Sequence, residues 1–232
     1  MIEEPPLLTI KRPSRRPTQA QIDAFRGLPA SVVSDAMEGA GAMEAAICPV
    51  EGGRQLPPAA VGPALTVDCG PADILALIAA LKFVEPGDIV VSGMEGFANR
   101  AQLGDRVTEF LKNCGAAGVV TDGPVRDLDG IVPLGLPIWC RGLSPATPFM
   151  NGPGRIGLPV QVGGQRVETG DLIVADRDGV VVVPFDRIDE VAARAHATLA
   201  LEQDLARQLA DGLKYPDTID ALLAGDRVRW ID

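Results

Sequence analysis

The sequence predicts an α/β fold, a sandwich of mixed sheets with flanking helices. Short apolar runs alternate with amphipathic segments through residue 141, which is typical of strands that alternate with helices. After residue 159 the apolar runs are separated by glycine turns, which favours hairpins. With 47% hydrophobic and 22% charged residues, the chain can form a substantial core.

The 232-residue length suits one domain with terminal extensions. Residues 1–17 carry several prolines and charges and are predicted to be an extended arm that wraps a neighbour. Residues 18–212 are predicted to be the main domain, and residues 213–232 a helical tail. A short basic cluster at 11–16 is interpreted as part of the mobile arm.

Charge and cysteine usage exclude several classes of protein. The net charge is −10 and the sequence pI is about 4.6, which argues against non-specific nucleic-acid binding. The four cysteines form no CxxC pair, so a zinc site is not expected. The N-terminal stretch lacks the apolar segment of a signal peptide, and no run is long enough for a membrane helix. We therefore expect a cytoplasmic protein that binds neither nucleic acid nor membrane.

The first half of the chain is predicted to alternate helices with strands. Thr18 is predicted to cap a helix over 19–26, and Ser31 or Ser34 a second helix over 31–39. A glycine- and proline-rich loop over 52–62 leads into a strand over 64–69, with Leu65, Val67 and Cys69 on one side. A buried helix over 73–83, a strand over 89–92 and a loop over 93–104 follow.

The second half begins with an amphipathic helix and continues mainly as strands. Val107, Phe110, Leu111 and Cys114 have helical spacing, and Gly115 is a suitable residue to end that helix. The segment 147–159 is predicted to be a loop, and 177–179 a hairpin loop. Strands are predicted over 118–121, 137–141, 160–162, 165–167, 172–176 and 180–184, and helices over 186–210 and 217–223.

Four polar residues mark a candidate site. Asp105 begins a helix, where unpaired N–H groups and the helix dipole favour an anion. Asp122, Arg126 and Asp127 follow a strand, at the edge of an α/β sheet where ligands gather. Two simpler interpretations remain open, because Asp105 could merely cap its helix and the Asp122 segment could be a plain turn.

A divalent cation would reconcile three carboxylates at one rim, since unpaired carboxylates repel each other. His196 is the single histidine, so multi-histidine metal sites are excluded and oxygen ligands are expected, as for Mg²⁺ or Mn²⁺. An arginine beside such a metal suits the stabilisation of an enolate oxygen formed from a 2-keto acid.

Asp105 and the Arg126-Asp127 pair form a D-x20-R-D pattern. With DGPVRD and the segment 163–184 (GGQRVETGDLIVADRDGVVVVP), the chain resembles the family of 4-hydroxy-4-methyl-2-oxoglutarate aldolase and the ribonuclease E regulator RraA over residues 28–210. The resemblance implies a swivelling α/β/β sandwich that forms a homotrimer, or a homohexamer made of trimers. It also implies a class II pyruvate aldolase that requires Mg²⁺ or Mn²⁺ and decarboxylates oxaloacetate.

The resemblance also implies roles for individual residues. Asp127 would bind the metal directly, and Arg126 would contact the keto oxygen. Asp105 would hold metal-bound water and take part in proton transfer. The backbone amides of four consecutive residues would bind the pyruvyl carboxylate, namely Ala101, Gln102, Leu103 and Gly104.

A neighbouring subunit would contribute acidic residues, for which Glu202 and Asp35 are the nearest matches. Asp35 departs from the glutamate of the characterised aldolases, which puts the substrate in question. Contacts that select the substrate would come from the neighbouring subunit and from the segment 142–157.

Two other functions are compatible with parts of the sequence. An RraA-type regulator would bind and inhibit a ribonuclease, but it would not need the set of Asp105, Arg126 and Asp127. A nucleotide-binding domain is disfavoured, because the glycine-rich segments match neither GxGxxG nor GxxxxGK[ST].

Overall fold

Eleven strands are present in the part of the chain that the computed structural model describes, residues 4, 6–50, 54–56, 59–216 and 218–231. The strands are Leu8–Ile10 (β1), Cys48–Pro49 (β2), Ala60–Asp68 (β3), Ile89–Gly93 (β4), Gly118–Thr121 (β5), Ile138–Cys140 (β6), Gly154–Ile156 (β7), Val160–Val162 (β8), Gln165–Val167 (β9), Leu172–Ala175 (β10) and Val180–Val183 (β11).

The helices of the described residues flank these strands. They are Gln19–Asp23 (α1), Ala30–Ala36 (α2), Leu75–Ala80 (α3), Asp105–Asn113 (α4), Leu128–Leu134 (α5), Ile188–Ala210 (α6) and Thr218–Leu223 (α7). A 3₁₀ turn, Phe185–Arg187, precedes α6. No helix among these has the length and apolar character needed to cross a bilayer.

Four parallel strands form the centre of the main sheet, in the order β3, β4, β5, β6. Ala64 pairs with Ile89, Ile89 with Gly118, and Val119 with Ile138. The register therefore brings the carboxyl ends of all four strands to one edge. The short strand β2 pairs antiparallel with β6, and β7 joins the other side between β3 and β1.

Strand β3 belongs to two sheets. Its residues from Ala60 to Pro63 pair antiparallel with β10, and its residues from Ala64 to Asp68 pair with β4. Strand β11 completes the second sheet beside β10, and β8 and β9 form a separate hairpin. The long strand thus fixes the position of the second sheet relative to the first.

The strands and helices stack in layers, because side chains alternate along each strand. In β4, Val90 belongs to the apolar cluster beneath α3, α4 and α5, whereas Ile89 and Val91 face the second sheet and the β8–β9 hairpin. In β10, Leu172 and Val174 face α1, α2 and α6. The result is a sandwich of two sheets with helices on both outer faces, which confirms the predicted fold class.

Most predicted elements are confirmed, with shifts at their ends. Thr18 caps α1 in a capping box with Gln21. Leu65, Val67 and Cys69 share one apolar cluster, as their alternation predicts. The long amphipathic helix and the hairpin between β10 and β11 are also present. Asp217, the first residue of the predicted tail helix, lies outside the described residues.

Several local predictions are wrong. The helix predicted over 31–39 begins at Ala30 after Pro29 and has no side-chain cap, so neither Ser31 nor Ser34 caps it. The predicted 147–159 loop contains β7, and the predicted 52–62 loop ends where β3 begins at Ala60.

One position of the predicted apolar face of α4 is also wrong. Thr108 and Leu111 are buried and Val107 packs beside the core, whereas Phe110 is 54% exposed. The buried face of α4 is centred between Val107 and Leu111, so Phe110 is rotated away from the sheet.

Residues 8–16 of the N-terminal arm pack on their own chain. Strand β1 pairs in parallel with β7. Arg15 then pairs with Asp171 at 3.3 Å, and Arg16 pairs with Asp88 and donates to Pro86 O at 2.9 Å. Both aspartates are buried, and burial raises the pKa of each carboxyl. The two arginines offset the cost of burying these charges.

We expect Arg16→Ala to lower the free energy of unfolding by about 1–3 kcal/mol at neutral pH, because it leaves the Asp88 carboxylate buried without its cation. The raised pKa of Asp88 means that burial in the folded state disfavours the ionised form of its carboxyl. The loss should therefore shrink as the pH falls and Asp88 becomes protonated. Urea unfolding across pH measures both effects.

Arg12→Ala is the matched control, since the structure shows no hydrogen bond or ion pair between Arg12 and any described residue. Equal urea midpoints for the Arg12 and Arg16 variants would contradict the anchoring role of Arg16.

Candidate active site

Three loops converge at the carboxyl edge of the parallel strands. Leu103, in the loop after β4, forms a parallel β-bridge with Val125, in the turn after β5. Val125 forms a second one with Leu143, which follows β6. The amide of Arg126 donates to Leu103 O at 3.1 Å. The loop that begins α4 and the turn that begins α5 are therefore held side by side.

A buried chain of polar side chains supports these loops. The Gln102 amide nitrogen donates to Ser92 Oγ at 2.7 Å, and its oxygen accepts from the Thr121 hydroxyl. Thr121 Oγ1 also accepts from the amide of Gly123 at 2.9 Å. Gln102, Ser92 and Thr121 are fully buried. Since buried polar groups are costly unless paired, the chain ties the α4 loop to the ends of β4 and β5.

Two carboxylates face glycines across the contact between α4 and α5. A Cβ placed on Gly104 would collide with Asp127 Oδ2, and one placed on Gly130 would lie 2.7 Å from Asp105 Cβ. Each helix start thus supplies one carboxylate and one glycine. The two aspartates are brought together because neither glycine carries a side chain.

Asp127 has a left-handed backbone, with φ 59° and ψ 45°, as the residue that precedes α5. Aspartate tolerates this conformation better than most residues, but it is uncommon outside glycine. Such geometry is concentrated at functional sites. It turns the chain sharply enough for Arg126 and Asp127 to present their side chains at the same rim.

Arg126 lies between two acceptors. Its Nε donates to Asp127 Oδ2 at 3.2 Å, and its Nη1 donates to Thr147 Oγ1 at 2.7 Å. The side chains of Arg126 and Asp127 are 32% and 44% exposed, so a small ligand can reach both. Asp105, at 31% exposed, completes a rim with two carboxylates and one guanidinium.

Thr147 and Arg100 were not recognised from the sequence. Arg100 donates to the Thr147 carbonyl, and its guanidinium lies 4.3 Å from the centre of the Phe149 ring. These residues lie in or beside irregular segments, where no periodicity indicates which side chains face the site. The adjacency of Arg100 to the predicted 101–104 amides was the one available signal.

The predicted carboxylate-binding amides need a correction. The amide of Ala101 donates to Ala146 O at 3.0 Å, and that of Gln102 donates to Pro124 O at 2.8 Å. These two amides hold the loop together and do not face a ligand. Leu103 and Gly104, which lie nearest the N-terminus of α4, are the remaining candidates of the predicted four.

Asp122 does not join the other two carboxylates. Its oxygens accept from the amides of Met94 and Gly96, at 2.6 and 2.7 Å. It lines a cavity of about 490 Å³ that also contains Arg141, and burial raises its pKa. The predicted rim of three carboxylates is therefore wrong, because Asp122 turns towards the β8–β9 side of the sheet.

Asp35 and Glu202 are also apart from this rim within one chain. Asp35 is exposed on α2 and Glu202 is exposed on α6. Both helices pack on the second sheet, whereas α4 and α5 pack on the opposite face of the main sheet. Any contribution of these acidic residues to the rim requires a second subunit.

The donor set suits a cation that keeps most of its hydration. Among the described residues, no group of three or more histidine, cysteine, aspartate or glutamate side chains could hold a metal ion. Mg²⁺ and similar ions are often held by one or two carboxylates and several waters. Asp127, with Asp105 at the adjoining helix start, fits that mode of binding but not a fully protein-ligated metal centre.

The protein is thus a sandwich of two sheets that carries an Arg-Asp pair at the carboxyl ends of its parallel strands. The family model described as RraA-like, Aldolase/RraA, matches residues 30–182. A Halalkalibacterium halodurans protein with the provisional name 4-hydroxy-4-methyl-2-oxoglutarate aldolase is 36% identical over 199 residues, covering 84% of this chain and 93% of its own. The chain belongs to the RraA-like family.

Solved structures agree with this assignment. The chain is similar to RraAS2 of Streptomyces coelicolor, described as an unusual member of the RNase ES inhibitor RraA family, with a TM-score of 0.73 and 29% identity over 83% of this chain and all of the other. It is also similar to an uncharacterised Pseudomonas syringae protein, with a TM-score of 0.74 and 26% identity over 87% of this chain and 97% of the other.

Gly104→Ala should displace Asp127 without unfolding the protein. Gly104 has φ −135°, which alanine adopts freely, so the collision with Asp127 is the main obstacle. We expect Mn²⁺ affinity, measured by calorimetry, to fall at least about tenfold, while the unfolding temperature changes little. Gly225→Ala, in the C-terminal tail, is the control. Unchanged Mn²⁺ binding in the Gly104 variant would show that this contact does not position a metal ligand.

Proposed function

We propose that the protein is a divalent-metal-dependent lyase that cleaves 4-hydroxy-2-keto acids to pyruvate and a second carbonyl compound, and that also decarboxylates oxaloacetate. The observation that carries the proposal is the Arg126-Asp127 pair at an exposed rim, beside Asp105. The relative from Halalkalibacterium halodurans, with its provisional aldolase name, supports the same class of reaction.

Asp127 would hold the metal, Mg²⁺ or Mn²⁺, with Asp105 contributing through water. When bound, such a cation polarises the keto group of the substrate as a Lewis acid. The charge of the metal would also offset the repulsion between the two carboxylates that the contact between α4 and α5 brings together.

Arg126 would stabilise the oxygen that becomes negative when the carbon–carbon bond breaks. Arginine stays charged at every relevant pH and carries five N–H donors. Asp127 and Thr147 accept from two of them, which leaves donors for the keto oxygen. Because that oxygen gains charge as the enolate forms, the interaction strengthens towards the transition state and accelerates cleavage.

Asp105 would act on protons. Its Oδ1 accepts from the amide of Arg106 at 2.7 Å, and its carboxylate remains partly accessible to water. In the aldol reaction, a base removes the C4 hydroxyl proton, the C3–C4 bond breaks, and its electron pair forms the pyruvate enolate. A proton returned to C3 then yields pyruvate, so the same carboxylate can serve both transfers.

The start of α4 would hold the carboxylate of the keto acid. The amides of Leu103 and Gly104 lie at the N-terminus of this nine-residue helix, where the dipole favours an anion. The neighbouring Ala101 and Gln102 amides keep the loop rigid. This division of roles fixes the substrate before the bond is broken.

A homotrimer, or a hexamer made of trimers, would bring Asp35 and Glu202 to the site of a neighbouring subunit. Their separation from the rim within one chain, and their exposure, are compatible with that arrangement. The identity of the second carbonyl compound would depend on these residues and on the segment 142–157.

Arg126→Ala is predicted to reduce kcat/KM for oxaloacetate decarboxylation at least about 100-fold, since it removes a charged donor from the enolate oxygen. Mg²⁺ affinity should change much less. Pyruvate release with Mg²⁺ or Mn²⁺ measures the first quantity and calorimetry the second.

Arg106→Ala is the matched control, because it removes a guanidinium from the start of the same helix. The ion pairs of Arg106 are exposed contacts with Asp105 and Glu109. It should retain activity within about threefold. Full activity in the Arg126 variant, or activity that survives EDTA, would contradict the proposal.

An RraA-type regulator that binds and inhibits a ribonuclease is the second candidate. The likeness to RraAS2 favours it, and the net charge of −10 is compatible with a protein partner. The absence of calorimetric binding of both Mg²⁺ and Mn²⁺, together with saturable inhibition of a ribonuclease, would favour the regulator over the lyase.

A further inference from the structure

We propose that Thr147 is a positioning residue for Arg126, which holds the guanidinium on the reacting oxygen while Asp127 is engaged with the cation. The inference rests on the proposed function and assigns a role to a residue that the sequence pattern did not indicate. Three features of the structure support it: the fixed backbone around Thr147, the placement of Arg126 between two acceptors, and the second arginine that holds Thr147.

The backbone on both sides of Thr147 is fixed by hydrogen bonds. Ala146 O accepts from Ala101 N at 3.0 Å, next to the start of α4. Phe149 N donates to Ala72 O at 2.7 Å, and Phe149 O accepts from Ile74 N at 2.9 Å. Thr147 also precedes Pro148, which restricts its own backbone to extended conformations. The hydroxyl is therefore presented from a rigid segment, although its side chain is exposed.

Arg126 has one charged and one neutral acceptor. Asp127 Oδ2 accepts from Nε at 3.2 Å, and Thr147 Oγ1 accepts from Nη1 at 2.7 Å. A cation on Asp127 would bind the carboxylate that now accepts from Arg126, and its positive charge would repel the guanidinium. The hydroxyl then becomes the partner that keeps Arg126 in place. Since it is neutral, it leaves the charge of the guanidinium available to the enolate.

Arg100 holds the other side of Thr147. It donates to the Thr147 carbonyl and stacks on Phe149. Side chain and carbonyl of one residue thus bind two arginines, one of which is proposed to face the substrate. This arrangement fits a fixed support better than a mobile surface residue.

Thr147→Val removes the hydroxyl and keeps the branched shape, and Thr147→Ser keeps the hydroxyl. We expect the valine variant to lose about tenfold in kcat for oxaloacetate decarboxylation, with a smaller change in KM, which corresponds to the loss of one charge-assisted hydrogen bond. The serine variant should recover activity to within about threefold of the wild type. Mg²⁺ affinity of both variants should stay within about twofold.

Oxalate provides a readout that does not depend on turnover. It is planar, carries two adjacent carboxylates and resembles the enolate of pyruvate. With Mg²⁺ present, calorimetry should show oxalate binding about tenfold weaker in Thr147→Val and nearly unchanged in Thr147→Ser.

A double variant separates the role of Thr147 from that of its segment. In the Arg126→Ala background, Thr147→Val should have no additional effect on oxalate affinity, because Thr147 acts only through the guanidinium that this background lacks.

The outcomes are distinguishable. Normal kcat and oxalate binding in Thr147→Val, or the same loss of oxalate affinity from Thr147→Val with Arg126 absent, would each overturn the role of Thr147 while Arg126→Ala remains inactive. If Arg126→Ala itself retained activity and oxalate affinity, the proposed function would fail, and the role of Thr147 with it.

Discussion

The contact between the starts of α4 and α5 is the constraint on which the candidate site depends. Gly104 lies against Asp127, and Gly130 lies against Asp105. A side chain on either glycine would occupy the space that a carboxylate now fills. Asp105 and Asp127 can therefore keep their positions only if both glycines are kept, and these positions place two acidic side chains and Arg126 at one exposed rim.

The rest of the sandwich holds that contact in place. Parallel β4 and β5 bring the loop before α4 and the turn before α5 to the same edge of the sheet. The buried Gln102 side chain links the ends of both strands. Its loss would leave the buried polar groups that it now binds without a hydrogen-bond partner. Strand β3 connects this sheet to the second one, so the rim is supported by the whole core and not by the loops alone.

The sequence could predict the elements that have a period or a sharp boundary. The helix from Asp105, the strand before Asp122 and the turn to Arg126 follow from spacing, and so does the approach of the start of α4 to the Arg126-Asp127 pair. Strand β7 was missed because its three residues begin with glycine and show no alternation that extends beyond them. Thr147 was missed because its role depends on contacts with residues distant in the chain. Asp122 was misplaced because a strand end can direct a side chain to either face of the sheet.

The central claim is that Asp127 holds a divalent cation beside Arg126. The most direct measurement is anomalous diffraction from crystals of the protein soaked in Mn²⁺ and oxalate. We predict an anomalous peak within about 2–2.5 Å of an Asp127 carboxylate oxygen, with an oxalate oxygen within hydrogen-bond distance of the Arg126 guanidinium. A peak elsewhere, or none at Asp127 under saturating Mn²⁺, would contradict this account of the site.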